Sequence, residues 1–149
     1  MGLLDGKVAV ITGAARGQGR AHAIRFAEEG ADIIAMDICH DLDAVPYQLA
    51  RPEDLEETVA AVERLDRRII ATQTDVREHD AVVQAVDSGV AEFGRLDIVM
   101  ANAGITSYVR AEEMDHATWS TMIANNLTGV WNVCRAAMPL RVDAGSAVK

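Results

Sequence analysis

The feature that most constrains this chain is an alternation. Short runs rich in Val, Ile and Leu, at residues 7–12, 32–37, 68–73 and 96–101, are separated by stretches with the apolar period of a helix. Runs apolar on both faces suit strands covered on both sides, and strands that alternate with helices pair in parallel, because a parallel neighbour is reached only through a long crossover. The implied fold class is α/β, a parallel sheet with helices wound on both of its faces. The first helix opens near Gly17 and turns Ala23, Ile24 and Ala27 inward before Gly30 stops it. The second starts at Pro52, with Glu53 and Asp54 in its first turn, and buries Leu55, Val59 and Val62. The third buries Val82, Val86, Val90 and Phe93 and ends at Gly94. A fourth, longer helix is predicted over residues 118–138, with a buried stripe of Trp119, Met122, Ile123, Leu127, Val130, Cys134 and Ala137 and with Pro139 just beyond it.

A length of 149 residues fits one domain, residues 1–149, with a core of its own. Fourteen basic against twenty-three acidic residues leave a net charge of −9, with no cluster of Lys or Arg, which argues against a nucleic-acid partner. No apolar run approaches membrane-spanning length and the N-terminus lacks the pattern of a secretory signal, so no membrane partner and a cytoplasmic location are expected. Cys39 and Cys134 lie far apart without a ligand-spaced neighbour, so neither a disulfide framework nor a metal site is expected. His22, His40, His79 and His116 lack a catalytic partner at any suggestive spacing and read as solvated surface residues.

Against this frame stands the stretch "ITGAARGQGRA", residues 11–21, where Gly13, Gly17 and Gly19 fall between the first strand and the first helix. At that turn an open parallel sheet binds ligands. The helix N-terminus presents unpaired N–H groups and partial positive charge, and side chains beyond Cα would hold a pyrophosphate away from them. Glycines alone would equally serve a tight turn with positive φ and no ligand. Asp37 weighs against that reading: it ends the second strand eighteen residues after Gly19, where a carboxylate can accept both ribose hydroxyls of an adenosine.

The spacing Gly-x-x-x-Gly-x-Gly, with "TGAARGQG" at 12–19, "DIIAMD" at 32–37, "TDV" at 74–76, "ANAG" at 101–104 and "NNLTGVW" at 125–131, resembles the classical short-chain dehydrogenase/reductase family. The opening of the chain and the long acidic insertion after it are closest to the mycofactocin-associated, carveol-dehydrogenase-like branch of that family. The resemblance implies a Rossmann-type doubly wound sheet, truncated after the fourth strand or at the start of the fifth. It also implies an NAD-dependent oxidoreductase that interconverts a secondary alcohol and a ketone, with only the N-terminal, cofactor-binding part present.

Carried onto this sequence, the resemblance implies that Gly13, Gly17 and Gly19, with Arg16 and Gln18 of the same loop, cradle the pyrophosphate of NAD. Asp37 would hold the adenosine ribose, with Ile38 beside it. Asp75 and Val76 would flank the adenine, although Asp75 reads equally well as a helix N-cap. Asn102 would steady the sheet, while Ala103 and Gly104 let the second ribose pass close to the backbone.

Asn126 falls on the predicted stripe of the long helix, and a buried amide there must find partners. On residues alone it reads as a core hydrogen bond; the resemblance makes it catalytic, ordering a water and a lysine in a proton relay. Asn125, about 100° around the helix, is the poorer candidate. Residues 38–52 form a connection longer than a compact domain needs, either a solvated loop or a functional one. The resemblance implies that it covers the cofactor and hinders its exchange, so that an external redox partner would reoxidise it.

Residues 145–148 look like the entry to a fifth strand, which in the family leads to a catalytic Ser and then Tyr-x-x-x-Lys. Neither Tyr47, followed by Arg51, nor Tyr108, followed by Glu112, carries that motif. The 149 residues are therefore expected to bind NAD without transferring hydride, and the full-length protein is expected to be a homo-oligomer. Two other readings stay open, a non-catalytic nucleotide-binding protein and a methyltransferase, the latter opposed by "ANAG" and "NNLTG".

Overall fold

The computed structural model describes residues 2–143. Four strands, β1 (Val8–Thr12), β2 (Asp32–Asp37), β3 (Ile69–Gln73) and β4 (Ile98–Met100), form one parallel sheet in the order β3-β2-β1-β4. Val8 lies opposite Asp32 and Thr12 opposite Met36, while Ala9 to Ile11 pair with Ile98 to Met100 on the other side of β1. The chain therefore moves outward from β1 to β3, then crosses back to pair β4 with β1. That reversal is the point at which such a sheet opens a crevice beyond its carboxyl edges. The fold is Rossmann-like, as the alternation of strands and helices requires.

Helices α1 (Gly17–Glu28) and α2 (Pro52–Glu63) cover one face, and α3 (His79–Phe93) with α5 (Val130–Asp143) covers the other. On the α1/α2 face Ala9 and Ala35 of the sheet, with the larger Ile11 and Ile33 beside them, meet Ala14, Ala15, Ala23 and Ala27. Small residues on both partners let the helix approach closely. On the opposite face Val10, Ile34 and Met36 meet Val82, Val86 and Val133. The first three helices end or begin where their sequence signals lie. Asp54 Oδ2 accepts the Arg51 N–H at 2.7 Å at the start of α2, and Gly94, at φ +77°, donates its N–H to the Val90 carbonyl at 2.7 Å at the end of α3.

The long fourth helix is where the sequence reading fails. Instead of one helix over residues 118–138, the structure has α4 (His116–Ile123), a π-helical turn (Ala124–Gly129) and α5, which carries Pro139 inside it. A π turn inserts one extra residue, and each residue is worth about 100° of rotation. The buried residues of α5 are Asn132, Val133 and Ala137; of the predicted stripe only Ala137 is buried, whereas Leu127 and Cys134, and Trp119 before the turn, are exposed. No residue of α4 is buried. The predicted strand entry at residues 145–148 lies outside the described residues.

Candidate functional site

Three glycines close the turn from β1 to α1. A side chain at Gly13, whose φ is +66°, would place its Cβ 2.9 Å from Ala103 Cα, so the first loop can touch the loop after β4 only without one. At Gly19 a Cβ would stand 1.9 Å from the Gly13 carbonyl oxygen, so the loop folds back on the start of its own helix. Gly17 faces open space. Behind the loop, two side chains hold its carbonyls. Thr58 of α2 donates its hydroxyl to Ala14 O at 3.0 Å, and Arg20 donates Nε to Ala15 O at 2.9 Å and Nη2 to Asp54 O at 2.6 Å. With their carbonyls turned back toward α2, the loop's other backbone groups are left to the front.

In front of the loop lies a cleft of about 360 Å³, the size of a small-molecule site. Gly13, Arg16, Gly17 and Gln18 form its floor together with Asp37 and Ile38 at the end of β2, Asp75 and Val76 after β3, and Asn102, Ala103 and Gly104 after β4. Of the predicted site residues, Gly19 and Asn126 are the two outside its wall. Gly19 is buried against Gly13, so its part is to shape the loop.

Asp37 is 7% exposed and already engaged: Oδ2 accepts the Ala15 N–H at 2.9 Å and Oδ1 the Cys39 N–H at 3.2 Å. These bonds pin the carboxylate between the first loop and the start of the 38–51 connection. Cys39 sits beside it in a left-handed conformation, φ +53°, and its thiol is pushed up to about 11 by burial and then by the charges of Asp37, Asp54 and Glu53. Asp75 is not the N-cap of α3, a place taken by Glu78. Burial alone would raise the Asp75 carboxyl. Hydrogen bonds from the Arg77 guanidinium, at 2.9 Å to Oδ2, and from the Arg77 N–H, at 2.9 Å to Oδ1, more than offset this and hold it below the usual carboxylate range.

Asn102 donates Nδ2 to Thr12 O at 2.9 Å, and Thr12 Oγ1 accepts the Ala103 N–H at 3.0 Å, so the ends of β1 and β4 are sewn together under the cleft. Asn126 is exposed, not buried as its helical phase predicted. Its Oδ1 accepts the Ile105 N–H and its Nδ2 donates to the Ile105 carbonyl, both at 2.9 Å, which fixes the loop after β4. The π turn exchanges the two asparagines: Asn125 is 4% exposed and lines the cleft. No sequence signal for a π turn was read, and Asn125 was missed for that reason.

The 38–51 connection contributes Leu42, Leu49 and Ala50 to the cleft wall. It is folded on itself by the Leu49 N–H, donated to Asp41 Oδ1 at 2.8 Å, and by an ion pair between Arg51 and Asp41. Tyr47 reaches across to the loop after β4, where its Oη accepts the Thr106 N–H at 2.9 Å and its ring lies 6.2 Å from that of Tyr108. His79 is not a solvated residue: its ring packs 6.5 Å from Trp131, with Nε2 buried. Among the described residues no group of His, Cys, Asp or Glu is placed to hold a metal, and no helix is long and apolar enough to cross a membrane.

A family model described as short chain dehydrogenase matches residues 7–149. The chain belongs to the short-chain dehydrogenase family. A protein of Mycolicibacterium smegmatis described as a short-chain type dehydrogenase/reductase is 51% identical over 147 residues, which make up 97% of this chain and 53% of that protein. The (−)-trans-carveol dehydrogenase of Rhodococcus erythropolis is 46% identical, over 93% of this chain and 50% of its own. Among solved structures, the carveol dehydrogenase of Mycobacterium avium in complex with NAD superposes with a TM-score of 0.96 at 50% identity, covering 99% of this chain and 53% of that one. This short-chain dehydrogenase chain thus spans about half the length of the relatives it matches.

Proposed function

We propose that residues 1–149 form the NAD-binding domain of a dehydrogenase that interconverts a secondary alcohol and a ketone. The observation that carries this is the convergence of the glycine loop, Asp37, and the loops after β3 and β4 on one cleft. The fit of a dinucleotide is supported by Gly17, which lines the cleft with open space before it, and by Gly13, whose missing side chain lets the first loop close on the loop after β4 to form the cleft floor. NAD, when bound, accepts or returns a hydride. The front of the glycine loop and the N-terminus of α1 would hold the pyrophosphate at Gly13 and Gly17, with Arg16 and Gln18 at its rim and Gly19 shaping the loop from behind. Asp37, held by the Ala15 and Cys39 N–H groups, would accept the adenosine ribose hydroxyls. Asp75 and Val76 would wall the adenine, and Asn102, Ala103 and Gly104 the second ribose. Asn126 would act on the reaction only through the Ile105 loop that it orders, unless a further segment draws it into a relay.

The NAD-bound relative, the carveol dehydrogenases and the cyclohexanol dehydrogenase of Rhodococcus (38% identical over 145 residues) support this cofactor and substrate class. The Tyr47 bridge, which ties the 38–51 connection to the loop after β4, supports a cofactor that exchanges slowly, and a slowly exchanging cofactor would need an external redox partner to reoxidise it. Titration of the chain with NAD and NADP tests the reading. A 2′-phosphate about 4 Å from the Asp37 carboxylate is opposed by roughly 4 kcal/mol at an effective dielectric near 20, about a thousandfold in affinity. NAD is expected to bind the tighter, and tighter binding of NADP would refute the assignment of Asp37.

A further inference from the structure

The π turn makes one buried polar atom stand out. Asn125 is 4% exposed, and its Oδ1 has no hydrogen-bond partner among the described residues. A buried oxygen left without a donor is costly, and such atoms are rare in folded chains. Its neighbour Asn126 is satisfied twice by Ile105, so the two adjacent amides have opposite fates.

The segment that carries Asn125 is fixed from both sides. Toward the N-terminus of the turn, Asn126 ties it to the loop after β4. Toward its C-terminus, Gly129 packs on Val76, where a Cβ would come 2.7 Å from Val76 Cγ2, and Asn132 donates Nδ2 to the Val76 carbonyl at 2.9 Å. Asn125 is therefore clamped against the cleft beside the loop of Thr74, Asp75 and Val76, and it lines the same cleft. Neither clamp uses the Asn125 side chain itself.

The structure assigns Asn125 as a cofactor-positioning residue, whose Oδ1 accepts a hydrogen bond from an N–H or O–H of the adenosine half of the dinucleotide. This rests on the reading of the cleft as an NAD site. An amide oxygen is an acceptor only, so a phosphate cannot be its partner, whereas the adenine amino group and the ribose hydroxyls are donors of the right kind. The ligand would supply what the chain withholds. The unpaired oxygen is then a feature of the free protein that binding removes.

Asn125→Leu keeps the volume and deletes the acceptor. Calorimetric titration with NAD, AMP and nicotinamide mononucleotide, beside thermal unfolding without nucleotide, tests the assignment on the 149-residue chain. The variant should bind NAD and AMP about tenfold more weakly than the parent. Its affinity for nicotinamide mononucleotide should not change. Because the Asn125 Oδ1 has no partner among the described residues to lose, the nucleotide-free midpoint of the variant should be equal to or above that of the parent. A structural amide gives the reverse pattern, a lowered midpoint with unchanged affinities, and would overturn the assignment. Equal weakening of all three ligands would overturn the choice of the adenosine half. A parent chain that binds neither NAD nor AMP would overturn the NAD-site reading itself, and the assignment with it. Asn125→Ala, smaller and free of packing conflict, should show the same selective loss of NAD and AMP should the Leu variant fail to fold.

Discussion

The two flanks of the sheet are built differently. On the α1/α2 flank, small residues bring helix and sheet together, and the polar groups described between them are paired inside the chain: Thr58 and Arg20 hold the carbonyls of Ala14, Ala15 and Asp54. On the flank of α4 and α5, Trp119, Leu127, Trp131 and Met138 are each more than half exposed, and Asn125 keeps an unpaired oxygen. The first flank is a finished interior. The second is a surface whose apolar and polar groups both look for partners. Substitutions on the first should therefore register as folding energy, and substitutions on the second as binding or association.

The largest effect belongs to Gly19→Ala. Its Cβ would meet the backbone of Gly13 at 1.9 Å, where no side chain can move aside. Chemical denaturation should show a loss upwards of about 3 kcal/mol, with nucleotide binding abolished. Gly17→Ala, at φ +54° but in open space, should cost only about 1–2 kcal/mol. Comparable losses at the two sites would mean that close packing of the loop is not what sets Gly19 apart.

Next comes the clasp behind the loop. Arg20→Ala and Thr58→Val each strand carbonyl oxygens and should each cost about 1–3 kcal/mol in denaturant titrations. The pair should be less than additive, because both side chains serve Ala15 and bond each other at 3.0 Å. Strict additivity would show two independent contacts.

On the other flank, replacing Trp119, Leu127 and Met138 together by Ser should move stability by no more than about 0.5 kcal/mol per site, as exposed positions usually do. Sedimentation velocity should show less self-association than the parent. A large apolar patch on a soluble chain commonly marks an interface. A parent that sediments as a compact monomer would show that this flank needs no partner.

The smallest effect is a pH dependence. Asp97 fastens the start of β1 to β4, with Oδ2 accepting the Val8 N–H at 2.9 Å and Arg95 Nε at 2.8 Å. Burial raises its carboxyl, but these bonds outweigh burial and the group titrates below its usual range. The native state thus holds the ionised form more strongly than the unfolded chain does. The stability this contributes is complete above the unfolded value of about 3.9 and is lost as pH falls through the lower folded value. The difference between parent and Asp97→Asn in denaturant midpoint should accordingly shrink below about pH 4. A constant difference down to the lowest pH measured would deny Asp97 that role.

How far the sequence could be read follows the same division. The first flank is legible because each of its devices is local: a run of β-branched residues, a proline and an acid at a helix start, a glycine at a helix end, three glycines at one turn. Asp32–Asp37 and the start of α2 at Pro52 fall where the residues place them. On the other flank α3 is equally legible, with Val82 and Val86 buried and Gly94 at its end, but α4 and α5 are not, because the apolar period of residues 118–138 is that of one straight helix. One inserted residue at Ala124–Gly129 rotates everything after it, which sent Leu127 and Cys134 outward and exchanged Asn125 for Asn126. The cleft residues that come from far in sequence, such as Leu49 and Ile105, have no motif of their own and are apparent only once the strands are ordered. Tyr47 had the same disadvantage, since its partner Thr106 is 59 positions away.

The two cysteines turn this asymmetry into a labelling chemistry. Cys39 is buried beside Asp37 with its thiol pushed up to about 11, whereas Cys134 is exposed on α5. Alkylating reagents attack the thiolate, and at pH 7 Cys39 holds on the order of one part in ten thousand of it. A maleimide dye should therefore mark Cys134 alone in the unaltered chain, placing a reporter on the flank that looks for a partner. Uptake of a second equivalent would count molecules whose β2 end has opened, so one reagent follows both occlusion of one flank and the opening of the other.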